Sequence, residues 1–472
     1  MLEQIRSHMP SWLAFVDTSS NTSITYKDLV KRVDLVREQL RSLSPRTLVF
    51  LTCSPTPDPV IIYLACLELD YPICLIEPDK PDLHAKLLSL YEPGVVFLPE
   101  QYEAMDTEQY EQTDTVATSY KTYTPKQTPQ NEIHPSLGVL LPTSGSTGNP
   151  KLVRLQAKSV VANAVSIAEY LKLTQSERSI QSLPMHYAYG LSLINSHLVA
   201  GASTIFTPHS FMRPEFWNDF NTYGCTSFAG VPYMYETLDR LRFDPKRYPS
   251  LRYMTQAGGG LRNDLIEKFY GKLDEVNAKF VVMYGQTEAT ARISYLPPDA
   301  LPEKTGSIGV SIPGGKITLR DVEGVEEKEL VYEGPNVMMG YAENKDSLSN
   351  GDEMEGTLFT GDLAKQDEEG YFYIVGRLKR FGKLFGKRIN LVDIETMVET
   401  QTNLRVAALD DKSQLVLFIE AESADDELHR SIRNDVAKKL KVTPKAIRVD
   451  SIEKIPMTTS GKKDYAGLKN FL

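Results

Sequence analysis

Leu140-Leu-Pro-Thr143-Ser144-Gly145-Ser146-Thr147-Gly148-Asn-Pro-Lys151 joins an apolar, strand-like run to a loop rich in hydroxyls and glycine. Glycines let backbone N–H groups approach an anion, Ser and Thr add donors, and Lys151 offsets negative charge. The stretch does not supply the Gly-x-x-x-x-Gly-Lys-Ser/Thr of a Walker loop, so it reads as a phosphate cradle of another kind. Taken alone, a Gly/Ser/Thr cluster reads equally well as an ordinary turn. The rest of the chain decides between the two.

Upstream, Thr25-Tyr-Lys-Asp28 fits a capping box, and Leu29, Val30, Val33, Val36 and Leu40 follow at helical spacing. Short apolar runs at Leu48 to Leu51, Ile73 to Ile76 and Val95 to Leu98 alternate with helix-like stretches Val60 to Leu69 and Pro81 to Tyr91. That alternation predicts parallel strands covered by helices. Residues from Glu100 to Pro135 are polar without clear period and read as a surface excursion. After Gly376-Arg377-Leu378-Lys379 the chain turns Gly- and Lys-rich and hairpin-like, with a strand at Leu415 to Ile419 and a helix from Asp425 to Leu440. The expected fold is therefore α/β: a large N-terminal domain, 1–378, of parallel-rich sheets covered by helices, and a small mobile α+β C-terminal domain, 379–472.

A chain of 472 residues with 41% hydrophobic content supports a large core and a satellite domain. Its 52 basic and 62 acidic residues, a net charge of −10, argue against a sequence-independent nucleic-acid surface or a binder of anionic membranes. Cys53, Cys66, Cys74 and Cys225 form no CxxC pair and read as buried, reduced thiols. The N-terminus lacks the order of a signal peptide and no long apolar run follows, so a cytoplasmic protein is expected.

Further motifs stand in order: Gly258-Gly259-Gly260, Tyr284-Gly-Gln-Thr287-Glu288, Thr360-Gly-Asp362, Gly376-Arg377-Leu-Lys379 and Thr459-Ser460-Gly461-Lys462. With the loop at Thr143 to Lys151, they resemble the adenylate-forming superfamily of acyl- and aryl-CoA synthetases, peptide-synthetase adenylation domains and beetle luciferases. The resemblance runs from about Ile24 to Lys462 and implies ATP and Mg2+ as cofactors. It also implies a carboxylic acid substrate and a phosphopantetheine thiol acceptor, on CoA or on an acyl or peptidyl carrier protein.

The resemblance implies roles residue by residue. The Thr143 to Lys151 loop would close over the β- and γ-phosphates of ATP. Tyr284 would stack on adenine, with Gly258 and Gly259 along the other side of the purine. Thr287 would lie near the α-phosphate and Glu288 would hold magnesium, a hard cation that prefers oxygen ligands. Asp362 would accept both ribose hydroxyls, with Arg377 as a nearby donor. Lys462 would bridge the substrate carboxylate and the α-phosphate, two anions whose approach an ammonium makes easier. Lys379 matches the hinge and Gly386 the border of the pantetheine tunnel. Asn390 stands where the family often places Glu, Phe381 and Phe385 sit among the local glycines, and Lys463 reads as solvent-facing.

Leu183-Pro-Met-His186-Tyr187-Ala-Tyr189-Gly190 resembles the His-containing motif of acyl- and aryl-acid ligases. It offers no carboxylate to meet an α-ammonium, which favours an uncharged substrate tail over an amino acid. His186 reads either as a pocket wall or as a hydrogen-bonded core histidine. Phe228, Ala229, Gly230, Val231, Gln256 and Ala257 match positions that line the acyl pocket in the family. An amino-acid-activating enzyme, a luciferase-like monooxygenase and a non-catalytic nucleotide binder are the competing readings.

Overall fold

The computed structural model describes residues 1–472 apart from 79, 103–108, 114–117, 144–149, 379, 385–386, 412–413, 422–425 and 458–462. The chain divides into two compact units: 1–305 with 309–317 and 332–358, and 306–308 with 318–331 and 359–472.

The first unit is built on two large sheets. In the eight-stranded sheet, Val49–Thr52, Ile73–Ile76, Val95–Pro99 and Leu137–Thr143 pair in parallel. Its margins are antiparallel, through Tyr110–Thr113 and Tyr120–Pro125 on one side and Lys151–Gln156 and Gly340–Ala342 on the other. The nine-stranded sheet repeats this plan. Its interior strands, including Ser227–Gly230, Tyr253–Gln256 and Lys279–Tyr284, run parallel, and its edges run antiparallel. The parallel strands are buried on both faces, which explains why they read as unbroken apolar runs.

The helix Tyr26–Leu40 forms behind the expected capping box. Thr25 Oγ1 accepts from the Asp28 amide at 3.2 Å, and Asp28 Oδ2 accepts from the Thr25 amide at 3.3 Å. Leu29, Val33, Val36 and Leu40 are buried on one stripe, while Val30 packs only partly. The helices Asp58–Glu68 and Ala188–Val199 are apolar on nearly every face because one shared core surrounds them. Phe15 and Phe206 from one sheet and Val49 and Leu51 from the other belong to that same core. All four cysteines are free and buried.

The expected surface excursion at 100–135 is corrected by the structure. Tyr110–Thr113 and Tyr120–Pro125 extend the eight-stranded sheet, and Tyr120 is fully buried, its hydroxyl donating to the Thr52 carbonyl at 2.8 Å. The polar Thr, Gln and Lys residues of these strands obscure the period, while the tyrosines supply the packing.

In the second unit, Thr357–Gln366 and Phe372–Arg377 pair antiparallel in a four-stranded sheet. A hairpin of Phe381–Leu384 and Lys387–Asn390 follows. A separate three-stranded sheet, Val406–Asp411, Gln414–Glu420 and Ile447–Ile452, packs with the helices Leu391–Thr402 and Asp426–Leu440 around Ile394, Val398, Leu417, Ile432 and Val436. Asn390 caps the first of these helices: its Oδ1 accepts from the Val392 amide at 3.1 Å, and its Nδ2 donates to the Val375 carbonyl at 3.0 Å. Among the described residues no helix is long and apolar enough to cross a membrane.

Candidate functional site

The ends of the quoted loop are strand partners. Thr143 pairs with Lys151 across the antiparallel strands Leu137–Thr143 and Lys151–Gln156, and Thr143 Oγ1 donates to the Lys151 carbonyl at 3.3 Å. Ser144, Gly145, Ser146, Thr147 and Gly148 lie outside the described residues. The Lys151 ammonium forms an ion pair with Glu343, just beyond the edge strand Gly340–Ala342. Tyr341 on that strand stands opposite Val153 and donates its hydroxyl to Glu288 Oε1 at 2.7 Å.

Glu288 sits in a short 3-10 turn, Thr287–Ala289, that leaves the strand Lys279–Tyr284. The turn is tight enough that a Cβ on Gly285 would lie 1.9 Å from the Ala291 carbonyl oxygen. Thr290 and Ala291 take left-handed backbone at φ 55° and 100°. Neighbouring groups hold that geometry. Asn336 Nδ2 donates to the carbonyls of Ala289 and Arg292 at 2.7 and 2.8 Å, Thr290 Oγ1 donates to the Asn336 carbonyl at 2.6 Å, and the Met338 amide donates to the Glu288 carbonyl at 2.9 Å. The Tyr284 hydroxyl accepts from Gln286 Nε2 at 3.3 Å.

The residues expected at the purine and the acid lie at the carboxyl ends of adjacent parallel strands. Gly230 and Gln256 are Cα partners, and Gln256 Nε2 donates to the Gly259 carbonyl at 2.8 Å. Gly258 has φ 89°, and a Cβ there would meet the Tyr187 hydroxyl at 2.6 Å, so only glycine fits beside that ring. Ala257 is buried. Phe228 is turned into an aromatic cluster, its ring 5.4 Å from Trp217 and 6.3 Å from Tyr235. Burial lowers the His186 pKa to about 4, and its Nδ1 has no hydrogen-bond partner. Tyr189 shares a hydrogen bond with Thr255 at 2.8 Å.

In the second unit, Asp362 and Arg377 are cross-strand partners joined by an ion pair. Asp362 is 2% exposed and Arg377 52%, so a buried carboxylate is paired with a half-exposed cation. Lys379, Gly386 and Lys462 lie outside the described residues.

The expectation for Lys463 is corrected: it is mostly buried, its side chain 19% exposed, with its ammonium 2.7 Å from Glu399 Oε1, 3.2 Å from Glu395 Oε2 and 2.5 Å from the Val406 carbonyl. Burial works to lower its pKa, and Glu395 and Glu399 more than reverse that, so the net shift is upward. Glu395 also takes the Arg380 guanidinium and the Tyr465 hydroxyl, the latter at 2.9 Å.

Residues 2–342 match the family described as AMP-binding enzyme. The chain belongs to that family. Among curated relatives, the oxalate–CoA ligase of Arabidopsis thaliana is 30% identical over 282 residues, 57% of this chain and 54% of that protein. A probable CoA ligase of Humulus lupulus is 27% identical over 69% of this chain and 64% of its own length, so the matches span between about half and two thirds of these relatives. The peroxisomal OPC-8:0-CoA ligase 1 of Arabidopsis thaliana is 25% identical over 95% of this chain and 89% of its own.

Two solved structures share the fold of this AMP-binding chain. ATP-bound MatB from Rhodopseudomonas palustris has a TM-score of 0.79 at 20% identity, covering 99% and 97% of the two chains. The o-succinylbenzoate CoA synthetase of Bacillus subtilis, in complex with its acyl-adenylate, has a TM-score of 0.76 at 21% identity, covering 98% and 96%.

Sequence reading had not marked Tyr341, Glu343 or Asn336. All three lie in the Asn336–Glu343 segment, which is brought there by long-range contacts: hydrogen bonds to the Glu288 turn and pairing with Lys151–Gln156.

Proposed function

We propose that this protein activates a carboxylic acid with ATP, forming an acyl-AMP and pyrophosphate, and then passes the acyl group to a phosphopantetheine thiol. The observation that carries the reading is the clamped turn at Glu288, joined through Tyr341 to the strand that pairs with the phosphate-loop base. A strained turn held by several hydrogen bonds is maintained for the group it presents.

The donor set fits ATP and magnesium. Glu288 is one carboxylate beside the base of an anion-binding loop, and among the described residues no cluster of three or more metal-ligating side chains occurs. That suits magnesium, which uses one or two carboxylates together with substrate phosphates and supplies charge neutralisation there. The Gly258 cradle, closed to any Cβ by Tyr187, suits a flat base lying against backbone. Thr287 and Lys462 are the groups proposed at the α-phosphate, Asp362 and Arg377 at the ribose, and Tyr284 on the adenine.

In the first half-reaction a carboxylate oxygen attacks the α-phosphorus, the bond from that phosphorus to the α,β-bridging oxygen breaks, and pyrophosphate leaves with its charge met by Lys151 and the loop donors. Thiol attack then displaces AMP. CoA is the favoured acceptor, because the full-length relative is named as a CoA ligase. Lys379 as hinge, a domain boundary at 378/379, Gly386 beside the pantetheine arm and a cytoplasmic location belong to the same reading.

The test is pyrophosphate release with ATP and magnesium across aryl, acyl, hydroxyacyl and amino acids, with hydroxylamine to trap the adenylate. Acid-selective hydroxamate supports the reading. Bound ATP with no hydroxamate from any acid contradicts it.

A further inference from the structure

Arg292 lies four residues beyond Glu288 in the chain and is 1% exposed. A guanidinium stays charged in proteins, so its burial calls for an anion or a full set of acceptors. It has neither. Nη1 donates to the Ala291 carbonyl and Nη2 to Ser192 Oγ, both at 3.3 Å, and Nε has no partner. The Tyr170 hydroxyl is a further neutral hydrogen-bonding partner, and the guanidinium carbon lies 4.3 Å from the centre of the Tyr189 ring. Among the described residues no carboxylate pairs with it.

Among the described residues, the surroundings add donors and no anion. The charge of Arg292 acts on Tyr187, Tyr189 and Tyr170, working in each to favour the phenolate against burial. Tyr187 precedes the first turn of the helix Ala188–Val199, whose unpaired amides point the same sign of dipole toward this end. Tyr189 reaches Thr255, the residue before Gln256, and Tyr187 abuts the position of Gly258. The cation is therefore linked through Tyr189 to Thr255, beside the proposed acid-pocket residue Gln256.

We propose that Arg292 is a specificity-determining residue and that the acid is a dicarboxylate, whose second carboxylate pairs with the Arg292 guanidinium. The inference rests on the acid-ligase reading and departs from the uncharged tail that the His186 motif favours. The motif excludes a partner for an ammonium; Arg292 supplies a partner for an anion. A charge-assisted, bidentate pair in a buried site discriminates strongly against an analogue that lacks the second charge, because the guanidinium is then left unpaired.

The experiment measures adenylate formation by the wild-type protein with a series of aliphatic and aryl dicarboxylates, each beside its own monomethyl ester. At least one diacid is expected to exceed its half-ester about 100-fold in kcat/KM. Arg292→Met is expected to bring that ratio close to one, and Arg292→Lys to restore part of it. The wild-type ratio decides the matter even where the buried substitution prevents folding. Half-esters used as well as every diacid, or an unchanged ratio in folded R292M, would overturn the role of Arg292 while leaving the acid-ligase reading in place. Adenylate from no acid at all would sink that reading itself.

Discussion

Tyr341 donates its hydroxyl to Glu288 Oε1 at 2.7 Å, from the same short edge strand whose continuation places Glu343 against Lys151. One strand therefore addresses both the proposed magnesium carboxylate and the proposed phosphate lysine. Its register against Lys151–Gln156 fixes which residue meets which partner.

Tyr341→Phe keeps the ring and removes the hydroxyl. Since Tyr341 is 38% exposed, the fold is expected to stay within about 0.5 kcal/mol of wild type. A magnesium titration of ATP binding followed by calorimetry should show half-saturation moved up about fivefold to tenfold, a loss of about 1 kcal/mol in holding the carboxylate. An unchanged titration would assign Tyr341 a packing role only.

Glu343 pairs with Lys151, and under the proposed function it competes with nucleotide phosphates for that ammonium. Both side chains are substantially exposed, at 64% and 36%, so the pair contributes little to folding. Glu343→Gln should tighten ATP binding about twofold to fivefold, with melting temperature unmoved, whereas weaker binding would mean that Glu343 orients the lysine productively.

Glu395 gathers Arg380, Lys463 and Tyr465 in a buried cluster, with Arg380 also 3.7 Å above the Tyr465 ring. Glu395→Gln leaves Arg380 without its carboxylate and Lys463 with Glu399 alone, so urea unfolding of the protein should lose about 3 kcal/mol. Lys463→Met takes the cation from Glu399 while Glu395 keeps Arg380, and should cost a similar amount. A loss under about 1 kcal/mol in both would show that the cluster is solvated.

His186 makes stability depend on pH. Its folded pKa of about 4 lies below the ordinary value near 6.5, so between those two pH values the unfolded chain binds the proton that the folded chain excludes. Stability should fall as pH drops from about 6.5 to about 4, by roughly 3 kcal/mol in total from this group. His186→Asn should flatten that part of the profile, and an equal slope in both proteins would remove the assignment.

What could be read from the chain was what local chemistry settles. The capping box at Thr25 and Asp28 and the apolar strands Val49–Thr52 and Ile73–Ile76 depend on neighbours in sequence. Tyr341, Glu343 and Arg292 were illegible for the opposite reason: an exposed edge strand and a buried cation look alike in sequence, and only long-range packing separates them. Lys463 shows the same limit. Its position beside Lys462 suggests solvent, and its environment comes from Glu395 and Glu399, more than sixty residues away.

The most direct test of adenylate chemistry follows the substrate oxygen. With a carboxylic acid labelled by 18O in its carboxylate, ATP, magnesium and CoA, the account predicts AMP carrying one 18O, because the attacking carboxylate oxygen stays on the α-phosphorus after thiolysis. Label appearing in inorganic phosphate alongside ADP, or AMP formed without label, would contradict it.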